Sequence, residues 1–254
     1  MQKTSLLFLS LFIFVFFSCK KKEVADADPS GTPINNITPN DSSNYMALFS
    51  CLDVYSKNSG SFVPNGKLTS AYYSSQSIYN ESYLAANLQN MGVVSLNGVG
   101  FRNKTAITNN YYNDTTATAF TIPHTWSVTG TSAISTFSFS NSNTPPTYTA
   151  SANIPDSISV NSGFSISLKG TSNCNLIRVF IQGGIGSTSY PSKLFSGTDT
   201  TISFTSSDLQ GLTPTTTGYI SFQLYRDNYR LIAGKRINFR TGLQYNNTAL
   251  KIKP

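Results

Sequence analysis

The feature that most constrains the fold is a two-residue alternation of apolar and polar side chains that recurs from Tyr45 to the C-terminus. In the clearest segments every second residue is apolar: Phe164, Ile166 and Leu168; Ile177, Val179 and Ile181; Ile220, Phe222 and Leu224. Successive side chains of a strand point to opposite faces of a sheet, so this period predicts strands with a buried face. Gly, Pro, Asn or Asp separates the segments, as turns require. The sequence therefore predicts an all-β protein.

The strand segments divide into two series at residues 141–146, where paired prolines restrict the backbone and remove two ladder donors. We predict two β-sandwich-like domains, over residues 45–143 and 144–254. The second contains about seven short strand segments, the number typical of an immunoglobulin-like or fibronectin-like sandwich. Residues 77–91, which lack Gly and Pro, are the candidate for a helix, and their poor apolar spacing predicts at most a helical turn.

The N-terminus carries a targeting segment. Lys3 precedes a 12-residue apolar stretch, residues 6–17, which is long enough for a signal peptide but too short to span a bilayer as a helix. The stretch ends at Phe16-Phe17-Ser18-Cys19, which resembles the lipobox of bacterial lipoproteins. The resemblance implies a signal peptide over residues 1–18, acylation of Cys19 and anchoring in a membrane. The alternatives are a secretory signal without lipidation and a buried apolar strand.

Residues 19–44 read as the lipidated cysteine followed by a flexible tether, because they combine Pro, Gly, Asp and Asn with almost no apolar periodicity. Within the tether, residues 26–31 imitate the opening of a calcium-binding EF-hand loop. Ile37 stands where the closing glutamate is needed, and no helices flank the segment, so we expect a linker and no calcium site.

Two further motifs lie within the strand series. Residues 91–99 contain Gly-Val-Val-Ser-Leu-Asn-Gly, and residues 126–130 read Trp-Ser-Val-Thr-Gly. In this order they are similar to strands of small cell-envelope lipoproteins of the Bacteroidota, which have no established activity. The resemblance implies the same arrangement of two β domains and an outer-membrane location on the periplasmic face or the cell surface. Asn97-Gly98 predicts a hairpin turn on physical grounds, since both residues tolerate positive φ.

Catalytic and metal sites find little support in the composition. The chain has one histidine, His124, and its cysteines show no paired metal-ligand spacing, so we expect no metal and no cofactor. His124 shares strand parity with Trp126, which favours a packed histidine and a core tryptophan over a catalytic base and a sugar platform. No Gly-x-Ser-x-Gly motif accompanies it.

The few carboxylates leave one enzymatic alternative open. Asp53 with Glu81 or Asp114 could support glycoside hydrolysis if two of them converge at the required separation.

The basic residues predict contact with a membrane and not with nucleic acid. The net charge is +7, and Lys20, Lys21 and Lys22 lie beside the anchor, where anionic headgroups are the natural partner. The other basic side chains of the last strands are expected on solvated strand faces, with a polyanion-binding patch as the alternative; they are Arg226, Arg230, Lys235, Arg236 and Arg240.

Cys51 and Cys174 remain once Cys19 is acylated. An even pair in an oxidising compartment permits a disulfide, and the alternative is that each is a small buried thiol.

Three segments match a pattern resembling Bacteroidota O-glycosylation acceptors, namely Asp followed by Ser or Thr and a small or apolar residue. The acceptor hydroxyls would be those of Thr115, Ser157 and Thr200.

Two adjacent tyrosine pairs, Tyr72-Tyr73 and Tyr111-Tyr112, are the candidate ligand-binding residues. In an extended segment, alternation sends one ring of each pair to the opposite face of the sheet, which we expect to be solvated. Exposed tyrosines among Asn and Ser suit sugar rings, although tyrosine is also a common strand residue.

The sequence thus predicts a lipid-anchored, non-enzymatic envelope protein that acts as a structural or interaction module, whose partner is a glycan or another envelope protein. A glycan-binding accessory lipoprotein of a polysaccharide-capture system is the first alternative, and a glycoside hydrolase is the second.

Overall fold

The computed structural model describes residues 32–33, 45–78, 88–104, 111–114 and 121–254, with the side chains of residues 45–75, 88–101 and 121–254. Strand makes up 62% of it and helix 4%, which confirms the predicted all-β, sandwich-like fold. The strands are β1 (Thr32–Pro33), β2 (Tyr45–Asn58), β3 (Ser61–Ile78), β4 (Leu88–Gln89), β5 (Val94–Leu96), β6 (Val99–Gly100), β7 (Arg102–Lys104), β8 (Tyr111–Asp114), β9 (His124–Val128), β10 (Phe137–Asn141), β11 (Thr147–Tyr148), β12 (Ser157–Ser159), β13 (Phe164–Ser167), β14 (Thr171–Ser172), β15 (Leu176–Gln182), β16 (Ser192–Ser196), β17 (Thr201–Phe204), β18 (Thr215–Ile232) and β19 (Lys235–Lys253).

Helical structure is limited to short segments in the described residues: a 3-10 turn at Ser151–Asn153 and the single-turn helix α1 at Ser206–Leu209. Neither has the length or the apolar character that a membrane-crossing helix would need. The helical turn predicted within residues 77–91 falls largely on residues 79–87, outside the described part of the chain; the flanking residues lie in β3 and β4 or just after β4.

One large sheet of eleven strands organises the molecule, with the central order β16-β15-β18-β19-β2-β3-β8-β7. Strands β18 and β19 form a long hairpin whose turn residues Ala233 and Gly234 have φ of 47° and 73°. Positive φ at both positions matches the twist of paired strands. Strand β2 runs parallel to β19, beginning with Ala47 opposite Ile237. Short strands complete the sheet, with β1 beside β18, β12 beside β19 and β4 beside β3.

The C-terminal core lies where two small sheets, β13–β17 and β11–β14, cover one half of the large sheet. It includes the residues whose alternation predicted strands, and Ile166, Ile177 and Ile220 are all 0% exposed. Strand β12 pairs in parallel with the end of β19 and closes the side of this sandwich. The other members of this core come from β11, β13, β15, β17, β18, β19, the helix α1 and the segments that connect them.

The N-terminal core lies between the other half of the large sheet and a four-stranded sheet of order β10-β9-β5-β6. Phe49 packs at its centre, 5.2 Å from the ring of Trp126 and 5.3 Å from that of Phe239. The same core contains Ile232 and Ile237 from the β18–β19 hairpin. Strands from the region after residue 143 therefore complete the core of the region before it, and the division into two domains stays a prediction.

Two local predictions are confirmed. Asn97 and Gly98 form the turn between β5 and β6, with φ of 49° and 82°. His124 and Trp126 lie on the buried face of β9, with 4% and 1% exposed.

Candidate functional site

Tyr72 and Tyr73 lie in β3 and point to opposite faces of the large sheet, as alternation predicts. Tyr72 packs with Tyr45 and Tyr229, whereas Tyr73 belongs to the N-terminal core. Both rings are buried, with 5% and 2% exposed, so the expectation that one of them is solvated is wrong. The Tyr73 hydroxyl accepts a hydrogen bond of 2.6 Å from Lys235 Nζ. A ligand-binding role for these tyrosines stays a prediction.

Several other predicted residues fall outside the described side chains or at the surface. Tyr111 and Tyr112 lie in β8, but their side chains are not among those described. Thr115 and Cys19 lie outside the described residues. Ser157 is half-buried in β12, and Thr200 is exposed in the turn between β16 and β17. The hydroxyl of Thr200 is therefore reachable by a modifying enzyme, and that of Ser157 is partly covered.

Cys51 and Cys174 are free thiols and form no disulfide in this structure. Cys51 belongs to the N-terminal core, and Cys174 packs against the C-terminal core. Burial raises the pKa of both thiols above the ordinary value. Cys51 is therefore the small buried thiol that one of the two sequence interpretations predicts, whereas Cys174 is only half-buried.

The candidate carboxylates have different partners. Asp53 accepts a hydrogen bond of 2.6 Å from Lys67 Nζ in a surface ion pair. Asp114 lies in β8 opposite Thr69 of β3. Glu81 lies outside the described residues. Across the part of the chain that is described, no three His, Cys, Asp or Glu residues are close enough to hold a metal ion.

A cleft of about 420 Å³, which we call the distal cleft, lies at the end of the C-terminal sandwich. Its lining residues carry no charge; they are Val160, Asn161, Ser206, Ser207, Leu209, Gln210, Gly211 and Leu212. The side chains of Leu209 and Leu212 are buried and belong to the core beneath it. Amides and hydroxyls on its exposed rim could hydrogen-bond a neutral polar ligand.

Helix α1 is fixed on one side of the distal cleft by a capping box. The side chain of Thr205 accepts a hydrogen bond from Asp208 N, and Asp208 Oδ2 accepts one from Thr205 N at 2.7 Å. The same carboxylate accepts a hydrogen bond of 2.5 Å from Lys193 Nζ. The hydrogen bond from Lys193, followed by those from Thr205, lowers the pKa of Asp208 to about 2. Asp208 is therefore charged at neutral pH and holds α1 to β16.

The loop between β15 and β16, residues 183–191, is bound to the chain that lines the distal cleft. Thr188 N donates to Gly211 O at 2.9 Å, and Ser189 Oγ donates to Gln210 O at 2.7 Å. Gly211 has φ of +88°, and a Cβ there would lie 2.7 Å from Thr188 Oγ1. The positive φ favours glycine, and a Cβ at this position would also displace the Thr188 side chain.

The same loop presents two large apolar side chains to solvent. Ile185 is fully exposed and Tyr190 is 56% exposed. Thr213 N donates to Ser187 Oγ at 2.9 Å. The loop is therefore hydrogen-bonded both to Gln210, before Gly211, and to Thr213, after it. A loop that is fixed in this way offers exposed apolar groups at little cost in conformational entropy on binding.

A second polar cluster lies within the large sheet, where Asp227 and Arg240 face each other across β18 and β19. Arg240 Nε and Nη2 donate to the two carboxylate oxygens at 2.7 and 3.0 Å. The side chains are only 2% and 4% exposed, so the expectation that Arg240 is solvated is wrong. Tyr229 donates its hydroxyl to Asp227 Oδ2 at 3.1 Å, and the Arg240 guanidinium lies 3.8 Å from the Tyr225 ring centroid.

The distal cleft with α1 and the Asp227–Arg240 pair were not predicted from the sequence, although each contains a recognisable local pattern. Tyr225, Asp227 and Tyr229 alternate along β18, which places an acid and two aromatic rings on one face. The segment Thr205–Asp208 has the spacing of a capping box and indicates a helix start. Neither local pattern reveals which distant segment of the chain completes the ion pair or the cleft.

Comparison of the chain with protein-family models, with curated proteins and with solved structures gave no match.

Proposed function

We propose that the protein is a lipid-anchored component of the cell envelope that acts as a non-enzymatic interaction module. Cys19 would hold one end at the membrane, and the distal cleft with its neighbouring loop would meet a partner at the other. The observation that carries the proposal is that the start of β2 and the distal cleft lie at opposite ends of β19.

The geometry that supports the proposal can be followed along β19. Ala47, near the start of β2 where the tether joins the sheet, lies opposite Ile237. Val160 of the distal cleft donates a hydrogen bond to Lys253 O at the far end of the same strand. At about 3.3 Å per residue, the strand between Ile237 and Lys253 spans roughly 50 Å. A tether at one end would thus present the cleft well clear of the bilayer.

The anchoring part of the proposal is tested at Cys19. In cells that process lipoproteins, Cys19→Ala should abolish labelling by a fatty-acid analogue and release the protein from the membrane fraction. Cys174→Ala is the matched control and should leave both unchanged. Persistent labelling and membrane fractionation of the Cys19 variant would overturn the anchor.

The interaction part is tested by photo-crosslinking in the native envelope. A photoreactive amino acid in place of the fully exposed Ile185 should form a discrete adduct. The same amino acid in place of Thr198, an exposed residue in the turn between β16 and β17 near the middle of the molecule, should not. The same adducts from both positions, or none from Ile185, would count against a partner at the distal end.

A glycan is the second candidate partner, and the uncharged lining of the distal cleft favours it. Hydroxyls and amides on a concave surface suit the hydroxyl groups of a sugar, and an exposed tyrosine suits the ring face. Tyr190 follows Ser189, whose Oγ donates to the cleft residue Gln210.

The test is a glycan array with the purified protein, followed by calorimetry on any sugar that binds. Asn161→Ala and Tyr190→Ala should weaken that binding, whereas Thr198→Ala should not. Absence of binding to every sugar on the array would rule out a glycan partner and leave a protein partner.

A further inference from the structure

The end of the molecule that lies near the tether carries three cations, Arg230, Lys235 and Arg236, within the seven residues around the β18–β19 turn. We call residues 230–236 the basic hairpin. In the described structure no carboxylate pairs with any of the three, in contrast to Arg240, which is neutralised by Asp227. The tip of the large sheet therefore bears a local excess of positive charge.

These cations are half-buried, so the strand faces that carry them are only partly solvated. Each charged group lies over an aromatic ring: Arg230 over Phe139 at 5.0 Å, Lys235 over Tyr73 at 5.1 Å and Arg236 over Tyr229 at 5.2 Å. Such contacts hold the stems of long side chains while their charge remains. The three charges are thus fixed at the tip.

The tether returns to this hairpin. In β1, Thr32 pairs with Leu231 and Pro33 pairs with Arg230. Cys19 precedes Thr32 by 13 positions, which even when fully extended span at most about 45 Å. The side chain of Leu231, which lies opposite Arg236 in the hairpin, is 43% exposed. An acylated Cys19 would hold a basic tip with an apolar residue within reach of the bilayer.

We infer that the basic hairpin docks onto anionic lipid headgroups of the membrane in which Cys19 is anchored. The inference rests on the proposed function, because the tether brings the hairpin to that membrane. Phosphate groups would meet the three cations, and Leu231 would enter the headgroup region. The contact orients the long strands away from the bilayer and turns the distal cleft outward.

The expected strength is modest but measurable. Each Lys or Arg near an anionic surface contributes enough that removing three should weaken binding about 100-fold. Because the anchor supplies a high effective concentration, such a contact is sufficient to orient a tethered molecule.

The first test uses the mature chain, residues 19–254, with Cys19→Ala, which has no acyl group and contains every described residue. It should co-sediment with vesicles of phosphatidylethanolamine and phosphatidylglycerol in 100 mM salt, and lose binding in 500 mM salt. The triple variant R230Q/K235Q/R236Q should bind about 100-fold more weakly. The matched triple variant K169Q/K251Q/K253Q removes the same charge from exposed positions elsewhere and should change binding less than about threefold.

A second measurement keeps the test valid if the triple variant does not fold. Leu231→Glu places an opposing charge at an exposed position, and it should reduce binding while the core is unchanged. Leu231→Trp should show a blue-shifted emission when anionic vesicles are added, whereas Ile185→Trp, at the distal loop, should not. Trp126 is buried and gives a constant background.

Several results would overturn the inference. These are no binding to anionic vesicles, equal losses in the two triple variants, equal shifts at positions 185 and 231, or binding to heparin without binding to vesicles. A lipidated Cys19 together with any of these results would leave the anchor intact and remove only the docking contact. Vesicle binding without acylation in cells would remove the anchor and keep the basic surface.

Discussion

Asp227 and Arg240 form a buried ion pair that local sequence does not reveal, and its burial carries a desolvation cost. Alternation places Asp227 on one face of β18, but it does not reveal whether that face is covered, because the covering groups come from distant strands. Two charges removed from water need a close partner and further hydrogen bonds. Here Tyr229 supplies one of these bonds and Asn175 binds the backbone of Asp227.

Removal of one partner should therefore destabilise the protein strongly. Asp227→Ala leaves Arg240 buried without a counter-charge, and we expect the free energy of unfolding to fall by about 3–5 kcal/mol. Urea denaturation measures the change. Asp53→Ala is the control, because the exposed Asp53–Lys67 pair should contribute less than about 1 kcal/mol. Equal losses in the two variants would contradict the role of burial.

Asp208 gives a pH-dependent prediction at the same scale. Its pKa is lowered from the ordinary value of 3.8 to about 2 by Lys193 and Thr205. The unfolded state binds the proton more tightly, so the contribution to stability is complete above about pH 5 and is lost as the pH falls through 3.8 toward 2. The difference in unfolding free energy between the wild type and Asp208→Asn should therefore shrink between pH 6 and pH 2. A difference that is constant over this range would contradict the assignment.

Among the elements, the β18–β19 hairpin has a turn in which only one of the two central residues favours the observed conformation. Gly234 adopts positive φ freely, but Ala233 also has a positive φ, which its Cβ opposes. Alternation predicts the strands on either side, yet Ala-Gly is a weaker turn signal than the Asn97-Gly98 pair that predicted the β5–β6 turn.

Replacement of Ala233 by a residue that tolerates this conformation should stabilise the hairpin. We expect Ala233→Asn to raise the free energy of unfolding by about 0.5–1 kcal/mol, and Ala233→Val to lower it. Thermal and urea denaturation of the two variants measure the effect. Destabilisation by asparagine would show that the alanine methyl group has a packing role.

The parallel pairing of β2 with β19 is the element that sequence patterns could not reveal. Ala47 and Ile237 are far apart in the chain, and alternation describes each strand without naming its neighbour. For the same reason the distal cleft could not be predicted, since it joins the turn after β12 to the segment around α1. The individual strands and the buried parity of His124 were predictable because they depend on local sequence alone.

At the scale of the whole molecule, the two cores share β18 and β19 as continuous strands. Phe222 and Phe239 belong to the same pair of strands, but the first packs in the C-terminal core and the second in the N-terminal core. Loss of packing in one core should therefore also destabilise the other core.

Cooperative unfolding is the resulting prediction. Phe222→Ala should cost about 3–5 kcal/mol and shift the unfolding transition reported by Trp126 fluorescence, although Trp126 lies in the other core. Circular dichroism should report the same midpoint. A Trp126 transition that stays at the wild-type midpoint would show that the two cores unfold independently.

The central position of β2 has a mechanical consequence. The tether enters this strand at Tyr45, and β2 is bonded to β19 on one side and β3 on the other. In the proposed arrangement, a pull between an anchored N-terminus and a partner at the distal end would act along the strand axis. The ladder bonds on both flanks would then bear load together instead of opening one by one. Single-molecule pulling in this direction should give a higher rupture force than pulling across the sheet.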